Sequence, residues 1–514
     1  MQGSSCTMDR RTFVKAGGAL GALALAGGTA AATGPRIAHA DPVTERPPDE
    51  VVWSQCNVNC GGRCIFQWHV KDGKIAYMLT DDTGNDDFQA RACLRGRTYR
   101  RWANSPDRIS YPMKRVEGTK RGEGKYERIS WDEAIDLAAS KLKEVIEKHG
   151  NEAVYVPYAT GVSATTSRPF NRFLNLVGGY LNFYNSYSTA QISCITPYMY
   201  GSKNNGGSSL SSGEDAKLIL CFGSSPTETR QGGLTTHYDW VHMRERTGAK
   251  IYMIEPRFND SNFGHSEEWL PINPGTDAAL VAALGHELIK NGQTDEEFLH
   301  TYCVGYDEET MPEAYQGKNM SYKDYIMGTG YDKVEKTPEW AAPITGISAE
   351  RIRALADEIA TTKPVYVVQG WGPQRRSNGE LSSMAVSLLP VMVGAIGKPG
   401  TSTGLDVGAY SFSLPWIGGT NPCKTQISIF SWADAIDHGE KMTALADGVV
   451  GADKLSTGIK FLVEYGGNCF TNQHSQSNLA HDILVDESKC EFILVFETLM
   501  NDAAKYADIL LPDI

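Results

Sequence analysis

Residues 218–230 read LILCFGSSPTETR, and residues 251–260 read IYMIEPRFND. Leu218–Phe222 and Ile251–Ile254 are apolar runs without polar alternation, the pattern of strands buried on both faces. Val365–Val368, Phe461–Val463 and Phe492–Phe496 repeat it, with helical periodicity between them. Buried strands alternating with helices predict an α/β fold with parallel sheets. Two stretches share a further feature. A strand ends at a glycine loop, Gly223 or Gly467, and the next strand ends at a carboxylate, Glu255 or Glu497. A glycine loop turns backbone N–H groups toward a phosphate, and a carboxylate at the next strand end accepts from a ribose or base edge. The pair suggests two nucleotide-like half-sites, although ordinary α/β loops read the same way. Neither loop is G-x-G-x-x-G and no G-x-x-x-x-G-K-[ST] occurs, so NAD and ATP are poorly supported.

The chain of 514 residues has room for about three domains at roughly 150 residues each. A hydrophobic content of 41% fills a sizeable core. Acidic residues outnumber basic ones 61 to 49, a net charge of −12 that argues against nucleic acid as a partner. Ser130 and Glu133 form a candidate capping box opening a helix, whose predicted buried stripe is Trp131, Ile135, Ala138, Leu142 and Val145, with Gly150 as the stop. The chain closes on KYADILLPDI, an apolar strand expected to be left without a partner, as in a truncated piece of a longer protein.

At the other end, MDRRTFVKAGGALGALALAGGTAAATGPRIAHAD carries the pair Arg10-Arg11, a Gly/Ala/Leu run from Ala16 and a small-x-small site, Ala38-His39-Ala40. Residues 1–40 read as a twin-arginine export signal, and the run is short and weakly apolar for a membrane anchor. That route carries proteins already folded around a cofactor, so it predicts an extracytoplasmic address. Residues 41–50 form a Pro- and charge-rich linker.

Cys56, Cys60, Cys64 and Cys93 are spaced C-x3-C-x3-C-x28-C. Three close thiolates and a distant fourth suit a 4Fe-4S cubane, which takes one ligand per iron. Zinc is the rival, although it usually draws on two close pairs; disulfides are a third reading. Cys194, Cys221, Cys303, Cys423, Cys469 and Cys490 lack ligand spacing and read as small core residues. Arg95, Arg97, Arg100 and Arg101 follow the fourth cysteine. They describe a solvated basic surface, or a cation between a cluster and an anionic cofactor.

These motifs converge on a family. CNVNCGGRC, RACLRGR, YPMKRVEGTKRGEGKYERISWDEA, YSTAQI, PINPGTDAALV, QGWGPQRRSNGE, YGGNCFTNQHS and KYADILLPD together resemble the molybdopterin oxidoreductases of the dimethyl sulfoxide reductase family. Within it, the likeness is to the catalytic subunits of the membrane-associated branch. The resemblance implies molybdenum held by two molybdopterin guanine dinucleotides, plus one 4Fe-4S cluster. The loop matching NSYSTAQ would supply the metal ligand, Ser188, with Ser186 and Thr189 as register alternatives. Gly223, Ser224, Glu228 and Thr229 would face one dinucleotide. Glu255, Arg257 and Asp260, with Gly275 and Asp277, would sit at its guanosine end. Trp371 and Arg375 would lie close to metal and pterin, and Gly467, Asn468, His474 and Glu497 would form the second half-site. Arg95 stands where many members carry Lys and keeps the charge between cluster and pterin.

The implied architecture is an iron–sulfur domain, 51–115, and two Rossmann-like α/β domains, one discontinuous over 116–183 and 405–514, the other 184–404. The family's C-terminal barrel is absent from this sequence. The implied reaction is removal of oxygen from an S-oxide, or also an N-oxide, in anaerobic respiration. Electrons would come from an iron–sulfur subunit and a quinol-oxidising membrane subunit, at the outer face of the cytoplasmic membrane. Rival readings are a sister Ser-ligated enzyme of the selenate reductase or catechol dehydroxylase type, an electron-transfer iron–sulfur protein without chemistry of its own, and a binding or structural remnant.

Overall fold

The computed structural model describes residues 50–56, 64–80, 92–158, 164–202, 207–229, 236–264, 266–405, 418–472 and 476–513, with 164–168 described at the backbone only. The twin-arginine signal, Cys60 and His474 lie outside the described residues.

In chain order the strands are β1 Glu50–Gln55, β2 Ile65–Lys71, β3 Lys74–Thr80, β4 Met113–Arg115, β5 Tyr126–Arg128, β6 Val154–Tyr155, β7 Asn182–Tyr184, β8 Leu218–Phe222 and β9 Lys250–Ile254. They continue with β10 Glu268–Leu270, β11 Val365–Gln369, β12 Gln426–Ser428, β13 Phe461–Tyr465, β14 Phe492–Glu497 and β15 Ile509–Pro512. The first three form an antiparallel sheet. Its alternation places Phe66, Trp68 and Val70 on one face, packed with Cys56, Cys64 and Ala92. Val51, Trp53, Ile65, Tyr77 and Leu79 are exposed.

A four-stranded parallel sheet runs β10-β9-β8-β11. Its two faces explain the unbroken apolar runs. One packs on helices Asp277–Lys290, Ala349–Thr361 and Gly379–Met392 through residues such as Leu284, Leu355 and Leu389. The other packs on Trp240 and Met243 of helix Thr236–Thr247.

The larger sheet has six strands in the order β5-β4-β15-β14-β13-β6. Its central members β6, β13, β14 and β15 are mutually parallel, and β4 and β5 add an antiparallel edge. Strand β4 lies inside the 51–115 range assigned to the iron–sulfur segment, yet it pairs here. The expectation of an unpaired last strand is corrected. Ile509–Pro512 is buried between β14 and β4, because its apolar side chains have a core on each side.

Helix Trp131–His149 forms where the periodicity places it. The Ser130 hydroxyl accepts the Glu133 N–H at 3.1 Å, and Gly150 ends the helix at φ 82°. Two details differ from expectation. Ala134 joins Ala138, Leu142 and Val145 in the buried stripe, while Trp131 is 36% exposed. The Glu133 side chain, 3.5 Å from Lys114 Nζ, makes a contact away from the expected reciprocal cap. Among the other cysteines, Cys221, Cys469 and Cys490 are buried, Cys303 and Cys423 are half-buried, and Cys194 is exposed.

Candidate cofactor site at the carboxyl ends of two sheets

In an open parallel sheet a ligand crevice forms where strand order reverses, beyond the carboxyl ends. The four-stranded sheet reverses between β8 and β11, since β9 and β10 lie on one side of β8 and β11 on the other. The strands end there in Gly223 and in Gly370-Trp371. Gly370 N–H donates to Phe222 O at 2.8 Å, bringing the two loops together. Gly223 has φ 52°, and a Cβ at that position would strike Pro373. Only glycine allows this approach.

Around the crevice the predicted residues gather. Ser224 is buried, and Thr229 N–H donates to Ser225 O at 2.9 Å, turning the loop into a short helix. Glu228 pairs with Arg257, whose hydrogen bond holds the carboxyl below the usual carboxylate range. Arg95 Nη2 donates to Glu228 O at 2.5 Å, so the basic run after Cys93 reaches the same loop. Glu255 is pushed up to about 7 by burial, with Asp277 and Glu228 adding and Arg257 opposing. Burial also raises Asp277, with Arg376 opposing. Asp260 is exposed on the adjoining loop. Gly275, at φ 86°, packs against the Arg376 guanidinium, where a Cβ would strike Nη1.

The Ser188 loop meets the β11 loop. Ser188 O accepts from Gln374 Nε2 at 2.6 Å and lies 3.5 Å from Arg375 Nη2. Ser188 N–H donates to Ser186 Oγ at 3.1 Å, which orients the turn, and Thr189 precedes helix Ala190–Tyr200. The Arg375 guanidinium lies 5.3 Å from the Trp371 ring centroid. Trp371 Nε1 and Arg376 Nε are buried with no hydrogen-bond partner among the described residues. Two unsatisfied buried donors beside a glycine turn fit an anionic, oxygen-rich group, because such donors are costly unless paired.

In the six-stranded sheet the parallel strands β6, β13, β14 and β15 follow one another in chain order without a reversal, and the second candidate half-site lies in the loops at their carboxyl ends. The loop Gly466-Gly467-Asn468-Cys469 leaves β13 here. Asn468 Oδ1 accepts from Thr471 Oγ1 and Ala503 N–H, and Asn501 Nδ2 donates to Gly467 O and Glu497 Oε2. Glu497 is raised by burial. Cys469 Sγ donates to Tyr158 O, linking the ends of β13 and β6.

The cysteines with described positions also fit their group. Cys56 N–H donates to Cys64 O at 2.8 Å, and both side chains are buried beside Phe66. Cys93 stands at the N-cap position of helix Leu94–Arg97 without a side-chain cap hydrogen bond, and a helix start favours a thiolate there.

Comparison with known proteins shows the family. Residues 49–105 match the molybdopterin oxidoreductase Fe4S4 domain, and residues 108–514 match molybdopterin oxidoreductase. The chain belongs to the molybdopterin oxidoreductase family. It accordingly has the family's molybdenum–pterin and 4Fe-4S domains. It is 51% identical over 520 residues to "Putative dimethyl sulfoxide reductase chain YnfE" of Escherichia coli, covering 99% of this chain and 63% of the relative. It is 48% identical to "Dimethyl sulfoxide reductase DmsA" of Haemophilus influenzae, covering 98% and 64%. The chain thus spans less than two thirds of the length of these curated relatives. Acetylene hydratase from Pelobacter acetylenicus shares the fold with a TM-score of 0.60 at 21% identity, covering 90% of this chain and 62% of that one.

Sequence reading passed over Gln374, Arg376, Asn501 and Glu464. The first two stand beside Trp371 and Arg375 in the same motif, and only packing distinguishes buried Arg376 Nε from exposed Arg375. Glu464 did carry a signal. A carboxyl inside the apolar run FLVEY has to be neutral or paired once the strand is buried.

Proposed function

We propose that the chain forms the catalytic core of a molybdenum-dependent reductase that removes an oxygen atom from S-oxides such as dimethyl sulfoxide, and from N-oxides. The observation that carries this reading is the likeness over 98–99% of the chain to proteins named dimethyl sulfoxide reductase. The switch-point crevice between β8 and β11 and the loops at the carboxyl ends of β13 and β14 support it. Each would hold one molybdopterin guanine dinucleotide, with Glu255 and Glu497 accepting from the nucleoside ends. Domains at 51–115, 184–404 and 116–183 with 405–514 would be the assignment, with β4 at the end of the first range passing to the sheet of the discontinuous domain. Ser188 would be the protein ligand to molybdenum. Cys56, Cys60, Cys64 and Cys93 would hold the 4Fe-4S cluster.

When bound, molybdenum supplies two-electron oxygen-atom chemistry. The chain's own residues do the rest. Trp371 and the exposed Arg375 guanidinium beside it would line the wall next to Ser188 and orient a polar S–O bond. Arg376 Nε and Trp371 Nε1, buried without partners among the described residues, would donate to cofactor oxygen atoms. Arg95 places a cation between the cluster segment and the first loop.

Electrons would arrive from an iron–sulfur subunit and a quinol-oxidising membrane subunit in anaerobic respiration. The exposed face bearing Trp53, Tyr77 and Leu79, on the sheet that packs Cys56 and Cys64, supports docking of such a partner. No helix among the described residues is long and apolar enough to cross a membrane. The Arg10-Arg11 signal supports export to the outer face of the membrane. The test is purified holoprotein with reduced viologen and a panel of S-oxides, N-oxides, selenate and catechols, with metal analysis. Turnover of S-oxides, molybdenum and about four iron atoms are expected. Stoichiometric zinc, or turnover of selenate or catechols alone, would overturn the reading.

A further inference from the structure

Glu464, on β13, is 1% exposed. Its Oε1 accepts the Cys469 N–H at 2.7 Å, while its buried Oε2 has no hydrogen-bond partner among the described residues. The carboxyl lies directly behind Gly467, where a Cβ would come within 2.8 Å of Oε1. The loop that leaves β13 is therefore seated on this acid. The same loop is tied to the end of β6 through Cys469 Sγ and Tyr158 O. One carboxyl thus underlies the segment that links the carboxyl ends of β13 and β6.

The ionisable groups around it are Glu497 at the end of β14, Cys469 in the loop, and Tyr187 beside Ser188. Tyr155 of β6 lies next to Tyr187 and Cys469, and its hydroxyl is buried without a partner among the described residues. None of these groups is a cation. A carboxylate here would be desolvated beside a second buried acid with nothing to neutralise it, so the neutral form prevails. Burial pushes Glu464 up to about 8; the Cys469 N–H opposes the rise and Glu497 adds to it.

We propose that Glu464 is a positioning residue of the second half-site: as the neutral acid it clamps the 466–469 loop at the carboxyl ends of β13 and β6, and its ionisation releases that loop and the ligand it holds. This rests on reading that loop as part of a pterin dinucleotide half-site. The neutral acid accepts the Cys469 N–H without drawing water into the core. The carboxylate requires water, and water reaches it only if the loop lifts. The folded state holds this proton more tightly than the opened state. Closure is therefore strongest below the ordinary carboxylate range and weakens as pH rises through about 8.

The test is hydrogen exchange of segment 466–472 in the full holoprotein, corrected for intrinsic base catalysis, with pterin release followed by fluorescence. Wild-type loop opening is expected to rise roughly tenfold per pH unit between about pH 5 and pH 7.5 and to level above about 8. Glu464→Gln keeps the acceptor and cannot ionise, so its profile should be flat. A flat wild-type profile, or the same slope in both proteins, overturns the clamp. A slope confined to the wild type with pterin release indifferent to pH keeps the clamp and overturns the half-site reading beneath it. If Glu464→Gln fails to fold, infrared spectroscopy of the wild type decides. A protonated-carboxyl band at about pH 7.5 that is lost by about pH 9 supports the proposal, and its absence at the lower pH overturns it.

Discussion

Ser188 shows how much a single side chain depends on its turn. Its carbonyl is held by Gln374 and its N–H by Ser186, so the backbone is set independently of the hydroxyl. Ser188→Ala should therefore keep the fold and the iron–sulfur signal while abolishing S-oxide reduction and altering the Mo(V) resonance. Ser188→Cys should retain metal with altered hyperfine structure, since a thiolate is softer than an alkoxide. Ser186→Ala and Thr189→Ala are the register controls and should stay active; loss of activity in one of them with Ser188→Ala unaffected moves the assignment. Glu255 carries a pH dependence of its own. Its folded value is raised to about 7, so the neutral form contributes stability that is lost as pH climbs from the ordinary carboxylate range through 7. Glu255→Gln removes that decline. The stability of the variant relative to wild type should grow over this window and level above it, as read by denaturant titrations at stepped pH. An unchanged difference would show that Glu255 is not desolvated in solution.

At the scale of elements, the apolar runs were legible because a strand covered on both faces carries few polar side chains. All five predicted buried strands occur: Leu218–Phe222 as read, three lengthened by one residue to Lys250, Gln369 or Glu497, and one by two residues to Tyr465. The 131–149 helix was legible from its cap, its period and its terminal glycine. Its stripe was misplaced by Trp131. An indole in the first helical turn lies at the rim of the helix contact, and Ala134 fits the closer approach to the sheet. Ser130→Ala removes the acceptor for the Glu133 N–H and should cost about 1 kcal/mol, seen as a lower denaturant midpoint at unchanged slope. An equal midpoint would mean that solvent replaces the cap without loss.

The whole molecule is held by pairings between distant parts of the chain. Residues 108–128 and 484–513 form one edge of the large sheet. Arg121, 1% exposed, makes a bidentate contact with Asp508 and donates to Leu484 O and Cys490 O. Tyr126 reaches Ala504 O and Ala507 O, and Arg108 reaches Asp513 O. Arg121→Ala would leave the Leu484 and Cys490 carbonyls unmet in the core, while Asp508 keeps Arg115 and the Ile493 N–H as partners, so a loss of roughly 2–3 kcal/mol is expected in equilibrium unfolding. A loss below about 1 kcal/mol would place this contact with ordinary surface ion pairs.

The amino-acid sequence by itself determined the class of the fold, the cysteine spacing, the glycine loops and the carboxylates that follow them. Each is a local matter of side-chain polarity, backbone freedom or ligand count. It also contained the motifs that place the chain in its family. Tertiary structure alone decided that Ile509–Pro512 is an interior strand, since its neighbours come from residues 113–115 and 492–497. It alone paired Arg95 with the Glu228 loop, buried Arg376 Nε while leaving Arg375 exposed, and seated the Gly467 loop on Glu464. These contacts depend on which strands are neighbours and where the sheet order reverses. That is a property of long-range packing, which no window of sequence contains.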